Sequence, residues 1–265
     1  MAIVTPTADK EEFRERIFFA VQDMYSEVAS FPAKTFHFPT GRWACEYVGY
    51  QQEELDAIPQ SAVESFAGVG YPFQAGVIRP GDRVLDIGSG SGTDVLIAAL
   101  KTGPTGEVYG LDITDMMLDK AKDNIPKSGY TNIHILEGNA ESIPIESESL
   151  DVVTSNGVLN LVPEKKTAFG EIFRVLKNGG RIQISDIALK SETSEKCRMN
   201  PELWADCIVG AVPEDQYITM LRDAGFKNVE IIQHFDYFER SPDESTKKTA
   251  KQYGAISITI KGIVE

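Results

Sequence analysis

The chain has 265 residues, 42% of them hydrophobic and 25% charged, the composition of an ordinary globular protein rather than a disordered or fibrous one. Its formal net charge is −14 and no basic run exceeds two residues, which disfavours a nucleic-acid duplex or an anionic membrane surface as partner. No apolar run approaches the length of a membrane span, and the opening MAIVTPTADKEEF lacks the basic start and apolar core of an export signal.

Apolar residues at Phe13, Ile17, Val21, Met24, Tyr25 and Val28 recur at helical spacing. They predict a helix over 9–29, capped by Asp9 with Glu12 three residues on and ended by Pro32. An aromatic loop over 31–43 follows, then short helices near 53–57 and 61–66. Residues 1–75 therefore read as a helical cap, and 76–265 as a second unit with a lid insertion near 191–212. In that unit short apolar strands alternate with helices. Strands are expected at 83–87, 107–111, 133–136, 150–154 and 181–185, then at 229–232 and 256–260. Helices are expected from the glycine-rich turn to Leu100, over 115–125, over 163–176 and near 214–224. Asn178-Gly179-Gly180 is expected to close the helix that opens at Pro163. The alternation predicts an α/β fold with a parallel sheet covered by helices on both faces.

The sharpest motif is Val84-Leu-Asp-Ile-Gly-Ser-Gly-Ser-Gly92, a strand, then Gly88, Gly90 and Gly92, then a helix. Such a turn lets a nucleotide-like ligand lie against main chain and meet free helix N–H groups. Asp112, twenty positions beyond Gly92 and at the end of the next strand, stands where an acid accepts ribose hydroxyls. The turn contains no lysine, so it is not a phosphate loop, and Thr93 takes the last glycine position of the dinucleotide pattern. Asp86, just before the turn, would repel a pyrophosphate and suits a cation. S-Adenosylmethionine has the ribose, adenine, ammonium and sulfonium these residues call for, and no phosphate.

The segment 81–180 resembles class I S-adenosylmethionine-dependent methyltransferases in VLDIGSGSG, GLDIT, GNAESIP, LDVVTSNGVLNLVP and EIFRVLKNGGRIQISD. The resemblance implies a Rossmann-like seven-stranded sheet with its last strand antiparallel. It also implies S-adenosylmethionine as cofactor and a small-molecule methyl acceptor. Asp86, Gly88, Ser89 and Gly90 would surround the methionine part, and Asp112 would hold the ribose. Ile113 and Met117 would flank the adenine, Asn139 and Ala140 would border its edge, and Asn156 would sit near the methionine end as both a cofactor-binding and a catalytic candidate. Met117 also reads as core, and Asn139 as a turn closure.

More narrowly, 49–226 is similar to arsenite methyltransferases, in GYQQEELDAIP, SFAGVGYPF, SNGVLNLVPEK and LWADCIVGAV. In that family three thiolates hold arsenic; the matching positions here are Val69, Gly157 and Cys207. One thiol of three is a weak site for a thiophilic metalloid. The three cysteines, Cys45, Cys197 and Cys207, form no Cys-x-x-Cys pair, so no disulfide framework or metal site is expected, and a reducing cytoplasm is the expected home. Cys207 is a catalytic candidate or a small buried hydrophobe.

For an acceptor that needs deprotonation, His37 in Phe36-His-Phe38 is the leading base, with His234 and Asp186 behind it; a histidine so flanked also reads as packed or capping a turn, and Asp186 as capping the turn after its strand. His134 alternates with Ile133 and Ile135 and reads as a strand residue. Tyr25, Tyr50 and Tyr71 are candidates for the entrance, and Arg42 for an acidic substrate group or a surface ion pair. The oligomeric state stays open.

Overall fold

Short runs of Val, Ile and Leu, each closed by a turn, pair at the centre of the molecule. The computed structural model describes residues 7–193, 204 and 208–265. Its strands are β1 (Arg83–Ile87), β2 (Glu107–Asp112), β3 (Ile133–Glu137), β4 (Leu150–Asn156), β5 (Leu176–Ala188), β6 (Lys227–Phe235) and β7 (Ile256–Ile263). They form a seven-stranded sheet in the order β3-β2-β1-β4-β5-β7-β6. β1 to β5 pair in parallel, and β7 runs antiparallel to β5 and β6. The expected α/β class, the seven strands and the antiparallel last strand are all present.

Strand alternation splits the core in two. Val84 and Val152 face one side, packed with Val95, Leu96 and Met117. Leu85, Ile87 and Val153 face the other, packed with Phe169, Ile172, Tyr217 and Leu221. The helices behind these contacts are α5 (Thr93–Thr102) and α6 (Asp115–Ser128) on the first face, and α7 (Lys165–Val175) and α8 (Glu214–Asp223) on the second. Burial on both faces is what a parallel sheet requires. The strand order reverses about β1, with β2 on one side and β4 on the other. The carboxyl ends of these strands therefore open a crevice, the usual ligand position in such sheets.

Ahead of the sheet come α1 (Thr7–Ser30), α2 (Gly41–Val48), α3 (Gln52–Asp56) and α4 (Gln60–Val63). Several expected boundaries move. α1 begins before Asp9, which lies inside the helix rather than at its cap. α2 occupies the end of the expected aromatic loop, because burial of Ala44, Cys45 and Val48 outweighs its poor helix formers. α7 begins two residues after Pro163 and runs straight into β5 at Leu176. Asn178-Gly179-Gly180 therefore does not close the helix. Leu176 is buried and pairs with Leu150, and the glycines bond the chain end: Gly179 N–H to Val264 O and Val264 N–H to Gly180 O, both 2.8 Å. His234 lies in β6, which ends at Phe235. An unanticipated helix, α9 (Glu244–Tyr253), starts where the Asp243 carboxylate accepts the Thr246 N–H at 2.8 Å. Much of the expected lid, with Cys197 and Cys207, lies outside the described residues. Among the described residues no helix is long and apolar enough to cross a membrane.

Candidate functional site

Gly88, Gly90 and Gly92 all adopt positive φ, at 73°, 52° and 97°. L side chains avoid that region, so the chain can turn from β1 into α5 only on glycines. Gly88 and Ser89 donate their N–H groups to the Leu111 carbonyl at 2.7 and 3.0 Å, which pins the turn to the end of β2. Gly90 N–H donates to Asp112 Oδ2 and Thr114 N–H to Asp112 Oδ1, both at 2.8 Å. The Ser91 and Thr93 hydroxyls reach the Ala62 carbonyl at 2.6 and 2.9 Å, tying α4 to the turn.

The turn floors a cleft of about 970 Å³, open mouth included, at the upper end of the usual range for ligand sites. Asp86, Gly88, Ser89, Gly90, Asp112, Ile113, Met117, Asn139, Ala140 and Asn156 all line it. Met117 also packs into the core, and the Asn139 side chain accepts the Glu141 N–H at 2.9 Å, so the two alternative readings hold alongside the lining. α1 forms one wall through Phe18, Val21 and Tyr25. It is held there by Arg14 on Glu141 at 2.7 Å and by Gln22 on the Ile113 carbonyl at 2.6 Å.

The charge of the lining is one-sided. Asp86, Asp94 and Asp112 contribute carboxylates, and among the described residues the lining contains no Lys, Arg, His or Cys. Burial pushes the Asp86 carboxyl well above the usual carboxylate range, and the charges of Asp94 and Asp112 add to it. Burial pushes Asp94 up to about 6 against the opposing hydrogen bonds of Tyr50 and Asn156, and it raises Asp112 as well. Asp86 Oδ2 and Ser89 Oγ are buried with no hydrogen-bond partner in the protein. Buried polar atoms are nearly always satisfied, so the Asp86 oxygen has a hydrogen-bonding place left open, while Ser89 Oγ lies close to Gly110 beneath the turn.

Asn156 knots the far end of the cleft. Its Oδ1 accepts the N–H groups of Val69 and Gly70 at 2.8 and 3.1 Å. Its Nδ2 donates to the Tyr50 hydroxyl and the Gly70 carbonyl at 2.9 Å, and to Asp94 Oδ2 at 3.1 Å. Tyr50 in turn donates to Asp94 Oδ1. The sequence put Tyr50 at the entrance and passed over Asp94. A Thr-Asp pair opening a helix is a common sign of dipole complementarity, so the motif alone gave Asp94 no distinction.

Other candidates land elsewhere. His37 is not among the lining residues; its ring packs edge-on against Phe38, and its carbonyl accepts the Ser241 hydroxyl at 2.6 Å. Cys207 is outside the described residues, and Cys45 is buried in α2, where burial pushes its thiol far up. Of the three tyrosines only Tyr25 lines the cleft. Tyr71 donates to Glu54 at 2.8 Å. Arg42 pairs with Asp56 and Glu46 at 2.7 and 3.0 Å. His234 meets Glu214 at 2.8 Å, and His134 stacks on Tyr109. Asp186 is buried behind the cleft, where its Oδ2 accepts the Tyr217 hydroxyl at 2.8 Å. Val69 and Gly157 are neighbours: a Cβ on Gly157 would stand 3.1 Å from Val69 Cγ1.

Residues 78–225, more than half of the chain, match the model of a family described as "Methyltransferase domain". The arsenite methyltransferase of Halobacterium salinarum is 35% identical over 216 residues, 82% of this chain and 55% of that protein. The demethylmenaquinone methyltransferase of Lactococcus lactis is 41% identical over 102 residues, 38% of this chain and 40% of that one. The chain spans about half the length of the curated relatives it matches. Among solved structures, the arsenic(III) S-adenosylmethionine methyltransferase of Chlamydomonas reinhardtii superposes with a TM-score of 0.70 at 29% identity, covering 81% of this chain and 73% of that one.

Proposed function

Since the chain belongs to the methyltransferase domain family, we propose that it transfers a methyl group from S-adenosylmethionine to a small organic acceptor with an apolar body. One observation carries the proposal: an acidic cleft, free of basic side chains among the described residues, is closed by an apolar helix face. The residues fit this cofactor. The unpartnered Asp86 Oδ2 suits its amino-acid end. Each Asp112 oxygen already accepts one N–H, and a carboxylate oxygen has a second lone pair to offer a ribose hydroxyl. Ile113 and Met117 offer apolar flanks to the adenine. Three carboxylates favour a ligand carrying ammonium and sulfonium charge, and disfavour a pyrophosphate.

When bound, S-adenosylmethionine supplies an electrophilic methyl carbon on a sulfonium. The chain's own part is alignment and exclusion of water. Phe18, Val21 and Tyr25 of α1 cover the cleft, and Phe66, Leu161 and Val162 extend the apolar wall on which an acceptor can rest. With no His, Lys or Cys in the described lining, an acceptor that is nucleophilic without a strong base suits the site best, such as a stabilised carbanion or a thioether.

A second proposal, methylation of arsenite with Cys207, is favoured by the names of the similar proteins. Against it, an aliphatic side chain and a glycine face each other at 69 and 157. Calorimetric titration with S-adenosylmethionine, followed by methyl-transfer assays on arsenite with thiol and on a panel of apolar organic acceptors, separates the two. The expected result is cofactor binding with turnover on an organic acceptor only. Arsenite turnover that Cys207→Ala abolishes would favour the second proposal. A protein that binds the cofactor and transfers its methyl to nothing would be a binding module.

A further inference from the structure

Asp94 stands in the first turn of α5, two residues beyond the last glycine of the turn, and lines the same cleft as Asp86. The two side chains are 6% and 2% exposed. They are held differently. Asp94 Oδ1 receives the Tyr50 hydroxyl and its Oδ2 the Asn156 amide, whereas Asp86 Oδ2 has no partner in the protein. The other titratable groups facing the pair are Asp112 from β2, Glu54 from α3, Cys45 from α2, Tyr50 and Tyr71. None is a cation. Lys101, at the far end of α5, is bound to Glu54. Two carboxylates in one dry site do not both ionise without a counter-cation, and the usual outcome is one shared proton.

Resting on the S-adenosylmethionine reading, we propose that Asp86 and Asp94 form a proton-sharing pair that holds one proton in the cofactor-free protein and releases it to solution when the cofactor's α-ammonium enters. The ammonium takes the proton's place between the carboxylates, so charge in the cleft balances before and after binding. Capture of the cofactor is then linked to pH. Protons compete with the ammonium, so affinity falls about tenfold for each pH unit below the midpoint of the pair and levels off above it. Burial raises both carboxyls, Asp94 to about 6 and Asp86 well above the usual carboxylate range, so the fall sets in at higher pH than an exposed carboxylate would give. Tyr50 is a positioning residue: its hydroxyl bond favours the ionised form of Asp94 and keeps the midpoint low.

The test is calorimetry of the full chain from pH 5 to 9 in buffers of differing ionisation enthalpy, which counts protons released per ligand bound. S-Adenosylhomocysteine carries the α-ammonium; 5′-methylthioadenosine keeps the adenosine and thioether and lacks it. The expected release at the acid end is roughly one proton with S-adenosylhomocysteine and none with methylthioadenosine. Asp94→Asn is expected to remove the release. Tyr50→Phe, which keeps the carboxylate, is expected to move the midpoint to higher pH. Equal release with both ligands, no release with S-adenosylhomocysteine, or an unmoved midpoint in Tyr50→Phe would overturn the pair while leaving the cofactor in place. Failure of both ligands to bind at any pH would overturn the cofactor reading itself.

Discussion

Gly88→Ala is expected to lower the affinity for S-adenosylhomocysteine by on the order of a hundredfold or more and to destabilise the fold by roughly 2–5 kcal/mol. Two costs add. Gly88 has φ of 73°, where an L side chain is strained. A Cβ there would also stand 2.1 Å from Val158 Cγ2, well inside contact distance. Val158 is itself part of the lining, so relief by movement of either partner reshapes the cleft. The turn cannot shift freely either, because Gly88 and Ser89 are bonded to Leu111. Gly76 separates the two costs, since it has φ of 63° and nothing within 4 Å of the position its Cβ would take. Gly76→Ala should cost about 1 kcal/mol, the conformational part alone, and leave binding unchanged. Combining Gly88→Ala with Val158→Ala should recover most of the overlap part, since only the Val158 Cβ at 3.0 Å then remains close, and leave the rest. Thermal unfolding and ligand titration read both quantities. Wild-type affinity in Gly88→Ala would mean that the glycine turn does not floor the binding site.

The sheet and the cofactor end of the cleft were legible in the sequence because their signals are local. Val84 to Ile87 is a short apolar run between a turn and glycines, and Asp112 is placed by its distance along the chain from Gly92. The same locality explains what escaped. Asp94 meets Tyr50 across 44 residues, and Asn156 meets Val69 across 87; no periodicity encodes either contact. α2 is helical because tertiary packing buries one of its faces. α9 has little apolar stripe to read, but Pro242-Asp243 ahead of Glu244 is a capping signal that could have located it. His37 heads a short list of bases, though a histidine flanked by two phenylalanines is more often packed. Its neighbours do form a packed cluster, with Phe36 and Phe38 stacked at 5.7 Å.

Asn156 concentrates the largest expected loss of stability on one side chain. Two amide protons serve three acceptors, and one carbonyl oxygen serves two N–H groups. Together they join the end of β4 to Tyr50, Asp94 and the strap at 69–70. Gly68 fits beneath this knot only because it has no side chain, since a Cβ there would lie 2.4 Å from Asn156 Nδ2. Asn156→Ala strands the N–H groups of Val69 and Gly70 and an oxygen of Asp94. At about 1–3 kcal/mol for each buried group left unpaired, with water recovering part of it, a loss of roughly 3–5 kcal/mol is expected. That corresponds to a fall of roughly 6–10 °C in melting temperature for a chain of this size. Asn156→Asp tests whether donor chemistry or volume matters. It keeps the shape and the acceptor, but sets a second carboxylate against Asp94, whose carboxyl burial already raises. The new acid then has a folded-state pKa above its unfolded value. Its folded form binds more protons, so the stability of Asn156→Asp should rise towards wild type as pH falls from 8 to 6. An Asn156→Asp protein as stable as wild type at pH 8 would show that the amide protons do not hold the strap.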